Sequence, residues 1–313
     1  MEIDEYSGRK GQSGERLREP GSRHKVVWMN RGINDLREEP IKRLVLFGES
    51  HTVGASATKR ALGWGEILRE QIDASQSGSI ELINRGLGAD ILSKSSPIYE
   101  TYEGKRPIGI ERYRKHIIEE KPDVVIISFG YNDMRSGTPL DDFRADLETI
   151  VKDVKKETDA LIALLNTYAI PTPGYENESG GSVSGNSWNK GSRESHTLYN
   201  LMLNDLAEDH SLLFVDIYST QVRSPWTFCS PDGSGDIHAN DLGHRLIANR
   251  IFEALATRCS FLSVEAQKAR QKTGKSPWRH GPSSPEAKLI AEFYPDSPEI
   301  AKFKKKPAKR AKK

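Results

Sequence analysis

Side chains that could carry out chemistry fall into four short blocks that are widely separated along the chain. The blocks are residues 48–54, 84–90, 130–133 and 236–244. Each of the first three follows a predicted strand directly, and the fourth follows the last predicted strand after a loop. Open parallel sheets bind their ligands at the carboxyl ends of the strands. We therefore expect all four blocks to meet at one rim of a sheet.

Ser50 is the candidate nucleophile of the first block. A serine hydroxyl is a weak nucleophile until a base removes its proton, so it needs an imidazole within hydrogen-bonding distance. His51 is adjacent, but neighbouring side chains on an extended turn diverge, and a structural or peripheral role is expected. His244 is predicted to lie in the first turns of the last helix, where capping or packing is expected. Other histidines fall in helical patterns and are expected at the surface: His116, His196 and His210.

The pair Asn132-Asp133 in the third block has two interpretations. Taken alone, it is more simply an ordinary turn or helix cap. Attack on an ester carbonyl, however, builds negative charge on oxygen, and preformed hydrogen-bond donors must stabilise that charge. Because the chain also contains Ser50 and a late histidine, His238, a donor role for the Asn132 amide is favoured.

Short apolar runs alternate with helical stretches between residues 44 and 257. Predicted strands span residues 44–47, 80–83, 123–129, 160–165 and 212–216. Predicted helices span residues 62–72, 110–120, 140–156, 194–208 and 242–257. This alternation is the βαβ signature. Since the strands are almost continuously apolar, we expect a parallel sheet covered on both faces.

The four blocks together resemble those of the SGNH, or GDSL, hydrolase family. That family is defined by a Ser in Gly-Asp-Ser, a Gly after strand two, the Asn of Gly-x-Asn-Asp and a late His. The resemblance covers about residues 41–258 and implies a three-layer α/β/α flavodoxin-like fold with a five-stranded parallel sheet. It implies that Ser50 is the nucleophile and His238 its base. The implied oxyanion hole consists of the N–H of Ser50, the N–H of Gly88 or Ala89, and the side-chain amide of Asn132.

Four positions depart from the family pattern. Glu49 replaces the usual Asp, which adds a methylene to a carboxylate that normally helps to hold the turn. Ala89 stands where the second block often has its last Gly, although its N–H remains available. Ala239 replaces a frequent Pro. Gly235 stands three residues before His238, where the family usually has the Asp of the catalytic triad.

The acid that would support His238 therefore has to come from elsewhere. A triad needs a carboxylate at Nδ1 of the imidazole to hold the correct tautomer and to stabilise the imidazolium. Asp236 is favoured, because residues two apart in an extended segment project to the same side and the short tether limits the entropy cost of closure. Asp232 is an alternative, since Gly233 and Gly235 could fold the chain back. In the third possibility no acid is used and a backbone carbonyl accepts the bond.

Composition narrows the class of protein. Hydrophobic residues make up 36% and charged residues 29%, and no apolar run approaches the roughly 18–20 residues that span a bilayer. The first residues lack the pattern of a secretory signal, so a cytoplasmic location is expected. Two cysteines, Cys229 and Cys259, are too few for a disulfide framework and are expected to be free thiols. Because no metal or nucleotide motif is present, no cofactor is expected.

The domain organisation is expected to have three parts. Residues 1–40 form a mostly flexible extension, 41–259 the hydrolase domain and 260–313 an appendage. The appendage ends in a run, 302–313, with eight Lys or Arg and no acid, which predicts a disordered basic tail. Such a tail could make weak contacts with a polyanion, without specificity. The predicted anchors of the appendage are Trp278, Phe293 and Tyr294.

Four functions are compatible with these residues, and in the weakest of them the domain only carries the basic tail. The favoured one is a serine esterase that acts on a small-molecule, carbohydrate or lipid ester. An acyltransferase would share its first half-reaction, and a non-catalytic binding module would retain the fold with a decayed site. Substrate choice is expected to depend on the Gly, Ser, Asn and Pro-rich loop at residues 171–195.

Overall fold

A computed structural model of the 313-residue chain describes residues 35, 37, 39–171, 188–229, 237–262, 285–298 and 300. Within these residues the strands are β1 Arg43–Gly48, β2 Glu81–Gly86, β3 Val124–Ser128, β4 Leu161–Leu165 and β5 Leu213–Val215. The helices are α1 Ser50–Val53, α2 Trp64–Asp73, α3 Gly109–Tyr113, α4 Tyr131–Ser136, α5 Leu140–Glu157, α6 Arg193–Asp209, α7 Tyr218–Gln221, α8 Pro225–Phe228, α9 Asp241–Arg258 and α10 Pro285–Phe293. Two 3₁₀ turns, Arg60–Leu62 and Tyr99–Thr101, and a π-helical turn, Arg114–Ile118, complete the described elements.

The strands form one parallel sheet in the order β2-β1-β3-β4-β5. This is the flavodoxin-like strand order. Crossover connections between parallel strands are almost always right-handed, which places α2 on one face of the sheet and α3, α5 and α6 on the other. Consistently, α9 packs against α2, and α5 packs against both α3 and α6. The predicted α/β/α fold with a five-stranded parallel sheet is confirmed.

Burial explains why the strands form where they do. The apolar residues of β1, β3 and β4 are almost completely buried, as strands covered on both faces must be. On α5 the buried positions Phe143, Leu147, Ile150 and Val154 recur at helical spacing, so one stripe of the helix faces the sheet. The predicted elements coincide with the observed ones and differ at their ends by only a few residues.

The two ends of the described domain lie against each other. Asp35 pairs with Cys259 in a short parallel bridge, and its carbonyl accepts a hydrogen bond from the Ser260 N–H. Phe261 and Leu262, beyond the predicted boundary at residue 259, are buried in the main core. No helix among the described residues is both long enough and apolar enough to cross a membrane.

The predicted anchors of the C-terminal segment are only partly described. Phe293 and Tyr294 are 69% and 70% exposed, so the expectation that they anchor the segment is wrong. Among the described residues of this segment, the buried hydrophobic positions are Ala287 on α10 and Ile300 beyond it. Trp278 and the basic run 302–313 lie outside the described residues, as does the segment 1–34.

Candidate active site

The turn between β1 and α1 depends on a glycine. Gly48 is paired with Gly86 of β2 and with Ser128 of β3. A Cβ at Gly48 would lie 2.2 Å from Thr52 Oγ1 and 2.5 Å from the Ser128 carbonyl oxygen, and both distances are far below contact. The missing side chain lets α1 begin directly over the end of the sheet, which brings Ser50 to the rim.

We predict that Gly48→Ala destabilises the fold by about 3 kcal/mol, because an added methyl must displace a backbone carbonyl and a buried hydroxyl. Gly88→Ala is the matched control, since a Cβ there meets nothing within 4 Å. Urea unfolding of the two variants measures the difference. Equal stabilities would show that the β1–α1 turn tolerates a side chain.

The candidate nucleophile and base are brought together although 188 residues separate them. His238 Nε2 lies 2.9 Å from Ser50 Oγ. On its C-terminal side the His238 loop is held by Asn240, whose side chain caps α9 by accepting from the N–H groups of Leu242 and Gly243. The Asn240 amide also donates to the Thr227 carbonyl. The Ser50 hydroxyl and the His238 imidazole therefore lie within hydrogen-bonding distance, as a nucleophile and its base require.

Tyr168 holds the other side of the His238 loop. It follows β4, is only 3% exposed, and its hydroxyl donates to the backbone carbonyl of Ile237, the residue before His238. Its ring stacks on His51 with 4.2 Å between ring centroids and on Tyr131 with 5.5 Å. Since aromatic packing fixes the ring, its hydroxyl fixes the position of the loop.

We predict that Tyr168→Phe lowers kcat about tenfold and changes KM little, because losing the tether lets the imidazole drift from the oxygen it must deprotonate. The ring and its stacking are retained in this variant. Steady-state kinetics on an ester substrate, beside a melting curve, measure both effects. A kcat equal to that of the wild type would exclude the tether.

Glu49 ties the first block to the third. It is 3% exposed, and its carboxylate accepts hydrogen bonds from the backbone N–H groups of Gly130, Tyr131 and Asn132 at 2.9 to 3.3 Å. Burial, together with the nearby Asp133 carboxyl, raises the pKa of Glu49 well above its usual value. Glu49 therefore caps the third block in spite of its extra methylene.

Asn132 is held with its amide against the second block. Its Nδ2 donates to the Asp90 carbonyl at 2.9 Å, and the residue is 4% exposed. An amide carries two hydrogens, and among the described residues one protein acceptor, the Asp90 carbonyl, is bonded to this group. The interpretation of Asn132 as a plain helix cap is not supported, because it is the Asn132 backbone N–H, not its side chain, that is bound in the cap by Glu49.

Arg112 joins the ends of β1 and β2 beneath the site. Its guanidinium donates to the carbonyls of Gly48 and Arg85 and to the Asp90 carboxylate, with 2.6 Å between Nη2 and Oδ2. Arg112 and Asp90 are 3% and 0% exposed in their side chains. Breaking such a pair leaves a buried charge, so either single substitution is strongly destabilising.

Burial also alters the charge of the carboxyl groups below the rim. Desolvation raises the pKa of Asp90 to about 6 although the Arg112 guanidinium acts in the opposite direction. It raises the pKa of Asp133 to about 7, against the hydrogen bonds from Leu92 and Ser93. Burial therefore disfavours the ionised form of both carboxyl groups.

The second block approaches the rim through an unusual backbone conformation. Ala89 has φ of +52°, in the left-handed region where glycine is ordinarily found. Its neighbour Gly88 has open space around its Cα. The sequence therefore departs from the family at a residue where the family's usual glycine is the better match to the backbone.

Two other histidines, His51 and His244, are buried near the site. His51 is 4% exposed and stacks on Tyr168 and His244, and burial, with the nearby imidazoles of His244 and His238, lowers its pKa well below the usual value. His244 is fully buried and its Nε2 lies 2.9 Å from the Ala55 carbonyl oxygen. The expected structural role of His51 and packing role of His244 agree with these contacts.

The expected surface position of His196 is wrong. His196 is 1% exposed and bonded to Thr167, and burial lowers its pKa to about 4. It shares the inward stripe of α6 with Tyr199 and Leu203, so helical spacing already indicated its burial. His116 and His210 are only partly buried.

The remaining site positions are described in part. Asp232, Gly235 and Asp236 lie outside the described residues, so the choice of acid stays a prediction. Ala239 is fully buried and bridges to Cys229 in an antiparallel pair, which directs His238 toward the rim. Of loop 171–195, residues 172–187 lie outside the described part, whereas Trp188 is buried in a small core under the second block.

Sequence reasoning missed Tyr168, Arg112 and the paired role of Asp90. Tyr168 follows β4, so the rule that points to strand ends could have found it. Arg112 lies inside a helix, where no local signal marks it. In the part of the chain that the structure describes, no group of three or more His, Cys, Asp or Glu could hold a metal ion.

Comparison with known proteins places the chain in a family. The profile of the GDSL-like Lipase/Acylhydrolase family matches residues 46–246. This match spans more than half of the chain and includes every block described above. The chain belongs to the GDSL-like lipase/acylhydrolase family of esterase-type hydrolases. Among the curated proteins compared with it, none matches.

Solved structures share the fold at low identity. A lipase/acylhydrolase from Enterococcus faecalis is 21% identical with a TM-score of 0.53, over 69% of this chain and 96% of its own. The psychrotrophic esterase EstA from Pseudoalteromonas sp. is 17% identical with a TM-score of 0.50, over 69% and 97%. An acetyl xylan esterase variant from Geobacillus stearothermophilus is 19% identical with a TM-score of 0.50, over 68% and 94%. They establish the common fold.

Proposed function

We propose that this protein is a serine esterase that hydrolyses a carboxylic ester through an acyl-enzyme on Ser50. The single observation that carries the proposal is the 2.9 Å contact between His238 Nε2 and Ser50 Oγ. An imidazole at this distance can accept the hydroxyl proton as the oxygen attacks. Membership of an esterase-type family supports the same reaction.

The reaction runs in two halves. Ser50 Oγ attacks the ester carbonyl carbon while its proton moves to His238 Nε2, and the carbonyl oxygen becomes an oxyanion. When the tetrahedral species collapses, the bond to the leaving alcohol breaks and His238 returns the proton to that oxygen. Water then attacks the acyl-enzyme, again losing a proton to His238, and the acid leaves while Ser50 regains its hydrogen.

The oxyanion needs donors on the same rim. The backbone N–H of Ser50, the N–H of Gly88 or Ala89, and the side-chain amide of Asn132 are the proposed set. Asn132 is supported by its fixed orientation toward the second block. Asp236 is our proposed third triad member on grounds of sequence proximity, because it can reach Nδ1 of His238 over a short loop.

A decayed, non-catalytic site is disfavoured by the same contacts. Loss of function relaxes selection on geometry that only catalysis needs. Here the Ser50 to His238 contact is in place, and Glu49 still caps the third block with three backbone hydrogen bonds. The departures at Glu49 and Ala89 therefore leave Ser50 and His238 in contact.

The proposal is tested by a panel of esters assayed with the purified chain. The panel contains p-nitrophenyl acetate, butyrate and decanoate, and an acetylated xylo-oligosaccharide, because one structural neighbour is an acetyl xylan esterase. Ser50→Ala is the blank. Ser50-dependent release of acid supports an esterase, and transfer to added alcohol in preference to water would indicate an acyltransferase. No Ser50-dependent turnover of any member would contradict both.

A further inference from the structure

The conformation of Ala89 is maintained by a turn that lies just after the second block in sequence. Turn 99–106 follows the second block and contains the 3₁₀ segment Tyr99–Thr101. Tyr102 and Arg106 lie four residues apart on it, and the Arg106 guanidinium stands over the Tyr102 ring at 4.8 Å from the centroid. The Arg106 N–H also donates to the Tyr102 carbonyl at 3.0 Å. The two side chains form one unit.

This unit binds two successive carbonyl groups of the second block. Arg106 Nη2 donates to the Gly88 carbonyl at 2.7 Å, and the Tyr102 hydroxyl donates to the Ala89 carbonyl at 2.7 Å. Both bonds are short, and one of them carries a positive charge, which makes it stronger than a neutral hydrogen bond. The peptide planes on both sides of Ala89 are thereby fixed.

Fixing these peptide planes offsets the conformational strain at Ala89. A non-glycine residue in the left-handed region costs about 1 kcal/mol or more, and the conformation persists only when its surroundings impose it. The Ala89 methyl group packs against the small core that contains Tyr102 and Trp188. The methyl group and the two carbonyl bonds together hold a backbone that glycine would adopt without strain.

The bond from Arg106 also acts on the opposite end of the same peptide group. The Gly88 carbonyl and the Ala89 N–H belong to one amide, and a cation at the oxygen draws electron density from the nitrogen, so that the N–H becomes a stronger donor. Within the described part of the chain, the Ala89 N–H donates no hydrogen bond to the protein. It is therefore available to a ligand.

We propose that Tyr102 and Arg106 are positioning residues that hold and polarise the Gly88–Ala89 peptide as a donor to the oxyanion. The inference rests on the proposed esterase function and goes beyond it, because it selects Ala89 over Gly88 and assigns a role to two residues outside the four blocks. It also explains how this chain keeps the donor without the family's usual glycine.

The test compares four variants on the best ester of the panel, with Ser50→Ala as blank. Arg106→Met should lower kcat about tenfold with little change in KM, since weakening a donor costs less than the 10²–10³ of losing one. Tyr102→Phe should also lower kcat. Arg106→Lys, which keeps a cationic donor, should recover most of the rate. Lys105→Met removes a charge from the same turn, where Nζ donates to the Thr101 carbonyl, and should leave kcat unchanged.

The outcomes separate the two proposals. No Ser50-dependent turnover by the wild type would contradict the esterase function, and with it any catalytic role of the turn. If the wild type hydrolyses the ester and both Arg106→Met and Tyr102→Phe keep kcat within twofold of the wild-type value, the positioning role alone would be contradicted. A loss in Arg106→Met that Arg106→Lys fails to restore, or that Lys105→Met shares, would also overturn it, because either result would indicate a structural effect of the turn.

Discussion

Replacing Ser50 by Ala is expected to reduce ester hydrolysis to the uncatalysed background, a loss of about 10⁶-fold in kcat. In the proposed mechanism the Ser50 hydroxyl oxygen becomes acylated, and that oxygen lies 2.9 Å from His238 Nε2. His238→Ala should cost a comparable factor. Because the two act as one unit, the double variant should be no slower than either single variant.

The fold should survive these changes. Ser50 is partly exposed at the first position of the short helix α1, so the substitution removes one oxygen and little packing. Ser128→Ala is the matched control, because Ser128 ends β3 directly opposite Gly48. Initial rates and melting curves are measured on the same preparations. Residual Ser50→Ala activity near that of the wild type, in protein free of contaminating esterase, would exclude Ser50 as the nucleophile.

Replacing Asn132 by Ala is expected to lower kcat by about 10²–10³, the typical cost of losing one oxyanion donor. KM should change little, because the amide bonds most strongly when charge has developed on the oxygen. Stability should also fall, since the Asp90 carbonyl loses the donor at 2.9 Å. An unsatisfied buried carbonyl costs about 1–3 kcal/mol.

Asn166→Ala separates the loss of rate from the loss of stability. Asn166 is likewise buried, and its side chain bonds the Asp216 carboxylate and the N–H of Ile217 at the end of β5. It should lose comparable stability and keep kcat. A fall in kcat of equal size in both variants would attribute the effect of Asn132 to folding, and a change confined to KM would make Asn132 a ground-state binding residue.

Hydrophobic patterning is sufficient to predict most of the fold. Continuous apolar runs identify β1, β3 and β4, because both faces of these strands are covered. Apolar residues at helical spacing identify α5 in the same way. The positions of Ser50 and Asn132 follow from the rule that parallel strands carry their sites at the carboxyl ends. His196 shares its helical spacing with the buried Tyr199 and Leu203, whereas its residue type alone does not indicate burial.

Local sequence patterns cannot predict the hydrogen bonds that side chains make between distant segments. Arg112 reaches Gly48 across the sheet, and Tyr168 reaches Ile237, yet neither pair has a common motif. The exposed position of Phe293 has the same cause, because an aromatic residue packs only where the rest of the chain leaves a surface for it. The sequence predicts which segments meet, whereas the bonds between them depend on the assembled fold.

The most direct measurement is covalent labelling of the nucleophile. An alkyl p-nitrophenyl phosphonate should react with Ser50 Oγ, which displaces nitrophenolate and leaves a stable phosphonyl ester that mimics the tetrahedral intermediate. Mass spectrometry of the digested protein should find one added phosphonyl group, located on Ser50, in parallel with loss of esterase activity. The His238→Ala variant should label far more slowly. Inactivation with the label on another residue, or full activity in protein labelled at Ser50, would contradict the account.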